Sequence, residues 1–199
     1  MAESSLPGHY DIIQEVIEKS LPYSSRSIRI GITGVPGAGK STVGVLLAKL
    51  TCRSFVDTDV LIQTLQGRPL QDIVDREGHL ALRAIEEQVI LQFDCRTCVI
   101  ATGGSAVYSP AAMAHLKQHG TVVFLDAGLP TLEARVRDIA TRGLAKRPDQ
   151  SFRDLFEERT PLYRQYADII IDCDGLNHEA VCARITEALK KGPGRGACA

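Results

Sequence analysis

The sequence predicts an α/β fold with three layers, in which a five-stranded parallel sheet lies between helices. Short runs rich in β-branched residues alternate with longer stretches whose apolar residues recur at helical spacing, and this alternation is typical of parallel sheets with crossover helices. The first run leads at once into a glycine-rich loop and a helix, which together can form a phosphate-binding loop. The predicted strands are 28–33, 54–56, 99–101, 122–125 and 169–171.

Composition limits the kind of protein this is. The 199 residues suffice for one domain with a sizeable core. Its 23 basic and 24 acidic side chains nearly cancel, so no overall field favours nucleic acid or an anionic membrane. No apolar run approaches the ~20 residues of a membrane span, and the first residues lack the pattern of a secretory signal. We therefore expect a cytoplasmic protein without nucleic-acid or membrane partners. A monomer is also expected, although none of these observations determines the oligomeric state.

Three segments are predicted along the chain. Residues 1–26 form an N-terminal extension, with a short amphipathic helix at 11–19 followed by a proline- and serine-containing linker. Residues 27–191 form the α/β domain. Residues 192–199 are a tail of mostly small residues that we expect to be flexible.

The glycine-rich loop reads GVPGAGKST from Gly34 to Thr42 and matches the pattern G-x-x-x-x-G-K-S/T. Glycines let the backbone turn its amides inward and let phosphate oxygens approach closely, while the helix N-terminus adds positive potential. In this motif Lys40 reaches the β- and γ-phosphates and the Ser41 hydroxyl binds Mg²⁺. The sequence therefore predicts a nucleotide site. Its predicted contacts are Gly37, Ala38, Gly39, Lys40, Ser41 and Thr42.

Two carboxylates follow the second strand, at Asp57 and Asp59. The carboxyl ends of parallel strands meet at one edge of a sheet, so both should lie beside the phosphate-binding loop. Asp57 is placed to hold the water shell of Mg²⁺, which prefers few carboxylates and several retained waters. Asp59 is placed to orient or deprotonate an acceptor hydroxyl. The alternative is that the pair merely caps the next helix.

Two later segments also carry signals of function. The third strand ends at the paired glycines Gly103 and Gly104, which suggests that some group approaches the backbone closely. Residues 131–147 are rich in arginine and are interrupted by glycine, which suits a lid that closes over a phosphoryl group. A solvated basic face would explain the same arginines.

Two residue pairs carry little chemistry when only their local sequence is considered. Arg83 and Glu86 stand three apart on a predicted helix, so a surface ion pair worth a few tenths of a kcal/mol explains them. Cys95 and Cys98 form a C-x-x-C pair without a partner pair for a metal or a flanking redox fold. We interpret them as thiols at the start of a strand.

Taken together, the motifs resemble the shikimate kinase family, in the nucleoside-monophosphate-kinase-like branch of the P-loop proteins. The resemblance covers roughly residues 28–190 and rests on order and spacing. It is carried by GVPGAGKST, the triplet Asp57-Thr58-Asp59, GRPLQDIVDREGHLALRAIEE, ATGGSAV and ERTPLYRQYAD. It implies a P-loop kinase fold and transfer of the ATP γ-phosphate, with Mg²⁺, to the 3-hydroxyl of shikimate, a small hydroxylated anion.

The resemblance also implies roles for individual residues. Catalysis would rest on Lys40, Asp59 and Arg142, with Arg142 as the lid arginine. Metal binding would involve Ser41 and Asp57, and Arg135 would lie against the adenine. The acceptor would be bound by Asp59, Arg83, Gly103, Gly104 and Arg159. In this interpretation the two arginines grip the acceptor carboxylate, to which a guanidinium fork is suited.

The sequence departs from the family pattern at three places. Ser105 stands where the family has a third glycine, and Leu82 replaces a phenylalanine. The lid reads Arg142-Gly143-Leu144-Ala145-Lys146-Arg147-Pro148 instead of carrying Arg-Pro-Leu-Leu. Either Arg142 or Arg147 can serve as the lid arginine, and we favour Arg142 because Leu144 then keeps its register.

Two other functions are compatible with these motifs. One is a kinase for another hydroxylated carboxylic acid such as gluconate, and the other is a nucleotide-binding regulatory protein without turnover. Intact Lys40, Ser41, Asp57 and Asp59 argue against the second. A motor or signalling NTPase is disfavoured because no aspartate ends a long apolar strand, Leu125-Asp126 being the nearest candidate.

Overall fold

The computed structural model describes residues 29–95, 97–135 and 143–191. The five predicted strands are all present and lie close to the expected positions. They are β1 (Arg29–Thr33), β2 (Ser54–Asp57), β3 (Cys98–Ala101), β4 (Gly120–Asp126) and β5 (Ile169–Asp172). The strands pair in parallel in the order β2-β3-β1-β4-β5, which confirms the predicted sheet.

Eight α-helices lie within these described ranges. They are α1 (Lys40–Leu50), α2 (Thr58–Gln66), α3 (Leu70–Glu77), α4 (His79–Gln92), α5 (Pro110–Gln118), α6 (Leu129–Arg135), α7 (Phe152–Tyr166) and α8 (His178–Lys191). A 3-10 turn, Ala106–Tyr108, precedes α5. Helix α6 begins two residues before the predicted start at 131. The predicted helix at 11–19, the tail 192–199 and Arg142 lie outside the described residues.

The start of helix α5 carries two ordinary helix-capping signals. The Ser109 hydroxyl accepts a hydrogen bond from the Ala112 amide at 3.0 Å, and Pro110 occupies the first turn. Both features are favoured at helix N-termini.

No described helix is long and apolar enough to cross a membrane.

The sheet explains why the predicted site residues converge. All five residues of β1 are buried, because this strand lies between β3 and β4 at the centre of the sheet. Ile32 of β1 stands level with Ala101 of β3, and Ala101 stands level with Asp57 of β2. The phosphate-binding loop, Asp57 and the paired glycines therefore leave the same edge of the sheet.

Two apolar clusters hold these elements together. The larger one packs helices onto both faces of the sheet, with Ile32, Leu47 and Phe124 almost fully buried. A smaller cluster joins helices α2, α3 and α4 to Ala145, beyond the sheet edge. It consists of Ile62, Leu70, Ile73, Leu82, Val89 and Ala145. This second cluster forms one wall of the cleft above the strand ends.

Candidate active site

A pocket of about 390 Å³ opens above the carboxyl ends of the strands. Its phosphate side is lined by Pro36, Gly37, Gly39, Lys40, Ser41 and Thr42. Its opposite side is lined by Asp59, Glu86, Gly104, Ser105 and Arg159. Leu70, Leu82, Thr102, Arg135 and residues 143–145 complete the walls. The pocket therefore brings the predicted nucleotide loop and most of the predicted acceptor residues face to face.

The glycine-rich loop has the backbone geometry that a phosphate cradle requires. Gly37 and Gly39 both have φ 91°, a left-handed conformation that L side chains rarely adopt. The ammonium group of Lys40 donates to the carbonyls of Gly34 (2.9 Å) and Val35 (3.3 Å). Burial lowers the pKa of Lys40, and nearby Asp59 opposes that shift. Lys40 therefore lies folded over the loop, at the place where phosphate oxygens would replace the two carbonyls.

The remaining predicted nucleotide residues differ in their exposure. Thr42 and Arg135 are exposed and line the pocket. Ala38 is buried and donates its amide to the Val35 carbonyl at 3.1 Å, so this amide closes the turn. Arg135 is the last residue of α6 and the last described residue before 143.

Ser41 and Asp57 form the predicted metal-binding pair. The Ser41 hydroxyl donates to Oδ2 of Asp57 at 2.5 Å. The other carboxylate oxygen, Oδ1, accepts from the amides of Asp59 (2.9 Å) and Val60 (3.4 Å) and so caps α2. The capping role of Asp57, one of the two alternatives that the sequence offered, is therefore present. A hydroxyl and a carboxylate in contact are hard oxygen donors, which fit Mg²⁺.

Asp59 lines the side of the pocket opposite the phosphate loop. Burial raises the pKa of its carboxyl, while Lys40 acts in the opposite direction. Gly103 lies so close that an added Cβ would be 2.6 Å from Oδ1 of Asp59 and would also collide with Glu86. The Gly103 amide donates to the Thr58 hydroxyl at 2.8 Å. Gly103 is therefore required by the approach of two carboxylates.

Glu86 is a site residue that the sequence interpretation missed. It is only 2% exposed, it lines the pocket, and it does not pair with Arg83, so the predicted surface ion pair is wrong. Its Oε2 accepts a hydrogen bond from the Ser105 hydroxyl, whereas its buried Oε1 has no hydrogen-bond partner among the described residues. Burial, reinforced by Asp59, raises the pKa of Glu86 to about 7. Its burial could have been inferred from the sequence, because Glu86 lies four residues after the inward-facing Leu82 and so on the same helix face.

Arg83 and Arg159 converge on a single main-chain oxygen. Nη2 of Arg159 donates to the Ala145 carbonyl at 2.7 Å, and Nη2 of Arg83 approaches the same oxygen at 3.4 Å. Arg159 is 1% exposed, while Arg83 is half-buried and lies outside the pocket lining. Two cations directed at one oxygen form a site suited to an anionic group.

Tyr108 is the second residue that the sequence interpretation missed. The Arg83 guanidinium lies over its ring, 3.6 Å from the centroid, and that of Arg159 lies 5.1 Å from it. Nε of Arg159 donates to the Tyr108 hydroxyl at 3.3 Å, and that hydroxyl donates to Glu158. No spacing rule links residue 108 to residues 83 and 159, so this contact could not be predicted from the sequence.

Gly104, in the pocket wall, contacts two side chains of α7. Its carbonyl accepts from the Tyr163 hydroxyl at 2.7 Å. A Cβ on Gly104 would lie 2.8 Å from Nη1 of Arg159. The expected close approach to the paired glycines is therefore made by side chains of the protein itself.

The segment 131–147, which the sequence predicts to be a lid, is described only at 131–135 and 143–147. Gly143 has φ 60°, and its amide donates to Oε1 of Gln71 at 2.8 Å. Arg147 is 51% exposed, and its Nη1 contacts Glu158 at 3.4 Å. Arg147 is not among the residues that line the pocket.

Comparisons with known proteins agree with this geometry. A family model described as shikimate kinase matches residues 36–190, and one for the methylmalonyl-CoA mutase-associated GTPase MeaB matches residues 1–56. The shikimate kinase of Halorhodospira halophila is 39% identical over 168 residues, covering 83% of this chain and 95% of the relative. That of Pseudomonas paraeruginosa is 38% identical over 172 residues, covering 84% and 99%.

Solved structures give the same result. The shikimate kinase of Acinetobacter baumannii in complex with shikimate superimposes with a TM-score of 0.77 at 31% identity, covering 83% of this chain and 94% of that one. The Aquifex aeolicus shikimate kinase gives a TM-score of 0.71 at 32% identity, covering 84% and 99%. Deoxyadenosine kinase from M. mycoides, at 12% identity and a TM-score of 0.52, shares the fold.

Proposed function

The chain belongs to the shikimate kinase family, and from this we propose that it transfers the γ-phosphate of ATP to the 3-hydroxyl of shikimate, a step of aromatic amino-acid synthesis. One observation carries the acceptor half of the proposal. Arg159 lines the side of the pocket opposite the phosphate loop, and Arg83, outside the lining, is directed at the same Ala145 oxygen as Arg159. An acceptor with a carboxylate at one end and a hydroxyl near Asp59 matches this arrangement.

The phosphate loop supports the donor half. When ATP binds, Lys40 would leave the Gly34 and Val35 carbonyls and donate to the β- and γ-phosphates. The loop backbone and the N-terminus of α1 would contribute further positive potential. Arg135, exposed at the pocket wall, would lie against the adenine.

Mg²⁺ is part of the proposal because the donor set fits it. Ser41 and Asp57 would hold the ion, with water and phosphate as the other ligands. Its contribution when bound would be to neutralise charge on the phosphates. In the described part of the chain, no three histidines, cysteines or carboxylates form a further metal-binding group.

Asp59 would act on the acceptor hydroxyl. Its carboxylate would accept the hydroxyl proton while the acceptor oxygen forms a bond to the γ-phosphorus. The bond between that phosphorus and the oxygen bridging to the β-phosphate would break, and ADP would leave. A carboxylate whose pKa is raised by burial accepts a proton more readily than a solvated one. Arg142, the proposed lid arginine, would offset charge on the transferring group.

Arg83 and Arg159 would bind the carboxylate of shikimate. The Ala145 carbonyl now takes the hydrogen bonds that a carboxylate would take, so the acceptor would displace it. Gly103 and Gly104 would allow the ring to approach the backbone. Since a guanidinium binds a carboxylate through two parallel hydrogen bonds, lysine would replace neither arginine fully.

An ADP-release assay with a panel of hydroxylated acids, including gluconate, tests this proposal. We expect shikimate to stimulate ADP release most strongly. Arg159→Ala should weaken shikimate binding, and Lys40→Ala should reduce kcat by roughly 10²-fold or more. Arg164→Ala, on the same helix but paired with Asp126 at the surface, is the matched control. Greater stimulation of ADP release by another acid would overturn the assignment of shikimate as the acceptor. ATP binding without turnover would favour a nucleotide-binding regulatory protein.

Location, assembly and segment limits complete the proposal. We propose a cytoplasmic monomer whose catalytic domain spans residues 27–191, with residues 1–26 as an extension and 192–199 as a tail. The family match at residues 36–190 supports the domain limits. Light scattering of the purified chain and activity of a 27–191 fragment would test the assembly and the limits separately.

A further inference from the structure

We propose that Tyr108 is a positioning residue that holds Arg83 and Arg159 side by side for the acceptor carboxylate. The inference rests on the proposed function, because it gives the two arginines their ligand. It concerns a residue that lies in the 3-10 turn after the paired glycines, and not on the helix of either arginine.

The first argument is electrostatic. Arg83 and Arg159 carry the same charge and both reach the Ala145 carbonyl, so they repel each other in a partly desolvated space. The ring of Tyr108 offsets this repulsion, because its negative face lies under the Arg83 guanidinium at 3.6 Å from the centroid. Cation–π attraction grows when the cation is desolvated, as it is here. Tyr108 thus provides Arg83 with a fixed surface to stack on.

The second argument concerns the direction in which the Arg159 guanidinium points. The Tyr108 hydroxyl uses its proton on Glu158, so its oxygen lone pairs are left for Nε of Arg159 at 3.3 Å. Glu158 is itself held by the Gln150 amide at 2.6 Å. With Nε occupied by Tyr108, the Nη2 group of Arg159 points at the Ala145 carbonyl. The hydroxyl therefore fixes how the Arg159 fork is turned.

The third argument is that one residue serves both cations. Arg83 contacts the ring face, whereas Arg159 contacts the hydroxyl edge. The two functions can therefore be separated by substitution. Tyr108→Phe removes the hydroxyl and keeps the ring, and Tyr108→Leu removes both while keeping an apolar side chain.

The experiment measures the Kd of shikimate by calorimetry, together with kcat and both KM values, in the full-length protein. We expect Tyr108→Leu to raise the Kd and KM for shikimate roughly tenfold, with the KM for ATP nearly unchanged. Tyr108→Phe should raise them about threefold, a partial rescue by the conservative variant. Tyr166→Leu is the control for lost packing. It removes another half-buried tyrosine, which lies on α7 two turns after Arg159.

If Tyr108 contributed only to packing, its substitution would change stability and not shikimate binding. It would lower Tm and the active fraction in Tyr108→Leu while leaving the shikimate Kd of the folded protein unchanged, and that result would overturn the inference. If Tyr108→Leu does not fold, the Kd of Tyr108→Phe decides, and an unchanged value rejects the role of the hydroxyl and with it the inference. Absence of shikimate binding by the wild-type protein would instead reject the proposed function, together with this inference. Normal wild-type binding with unaffected variants would reject the inference alone.

Discussion

The Ser105 hydroxyl donates a hydrogen bond to the carboxylate of Glu86, and both buried side chains line the side of the pocket opposite the phosphate loop. Ser105 occupies the position where the family pattern has a third glycine. It therefore supplies a hydrogen-bond partner to a carboxylate whose other oxygen has none in the described part of the chain. Because this hydrogen bond affects the pKa of Glu86, its contribution can be measured by titrating that carboxyl.

Replacing Ser105 with alanine should raise the pKa of Glu86 above its present value of about 7. The hydrogen bond from Ser105 favours the ionised form and partly offsets the effect of burial, so its loss shifts the equilibrium toward the neutral acid. Carbon-13 NMR titration of the Glu86 carboxyl would measure the change. Ser54→Ala, at an exposed position on β2, serves as the control. An unchanged or lower pKa would contradict the assignment of the hydrogen bond.

Glu86→Gln should alter how stability depends on pH. Burial raises the pKa of Glu86 from 4.5 to about 7, so the folded protein keeps a proton that the unfolded chain releases. The contribution of this carboxyl to stability is therefore greatest below pH 4.5 and is lost as pH rises to about 7. Relative to Glu86→Gln, the wild-type protein should lose on the order of 3 kcal/mol across this range. Urea unfolding at a series of pH values would measure it, and parallel curves would refute the prediction.

Asp57→Asn should separate the metal role of Asp57 from its capping role. Asparagine caps a helix about as well as aspartate, so the free energy of unfolding should change by less than about 0.5 kcal/mol. The loss of charge beside Ser41 should raise the Mg²⁺ concentration needed for half-maximal activity by about 10- to 100-fold. Asp57→Ala should show the same Mg²⁺ effect and in addition lose about 1 kcal/mol of stability. Equal Mg²⁺ requirements in Asp57→Asn and wild type would rule out the metal role.

Gly104→Ala should weaken acceptor binding. The added Cβ would lie 2.8 Å from Nη1 of the buried Arg159 and would displace its guanidinium. We expect the KM for shikimate to rise by about tenfold or more, since small displacements of a positioning group are costly. Gly31→Ala is the matched control, because its Cβ would meet only ordinary contacts at 3.8 Å or more. Comparable effects of both substitutions on KM would point to general destabilisation instead.

Arg142→Ala and Arg147→Ala should differ in their effect on turnover. Arg147 is exposed and contacts Glu158 at 3.4 Å, and exposed ion pairs contribute little. Its loss should change kcat by less than about threefold. Loss of Arg142, the proposed lid arginine, should lower kcat by roughly 10²-fold or more. Single-turnover measurements of the phosphoryl-transfer rate would compare the two variants. A larger loss in Arg147→Ala than in Arg142→Ala would identify Arg147 as the lid arginine.

The nucleotide half of the site was predictable because it is local. Nine consecutive residues from Gly34 to Thr42 form the loop, and their spacing alone predicts which backbone amides and which lysine would face a phosphate. Asp57 and Asp59 were predictable for a related reason. They follow a strand directly, and all strands of a parallel sheet end at the same edge.

The acceptor half depended on contacts between distant parts of the chain. Arg83, Tyr108, Ala145 and Arg159 meet although 76 residues separate the first from the last. Considered locally, Arg83 and Glu86 were a plausible surface pair. Packing of α4 against its neighbours buries Glu86 and sends Arg83 to Tyr108 instead.

The sequence by itself determined the fold class, the phosphate-binding loop and the carboxylates that follow β2, because strand periodicity and loop spacing are properties of neighbouring residues. Only the tertiary structure decided that Glu86 is a buried acid and that Tyr108 contacts both arginines. Burial and charge–charge distances arise when separate helices pack together, and no spacing along the chain encodes them.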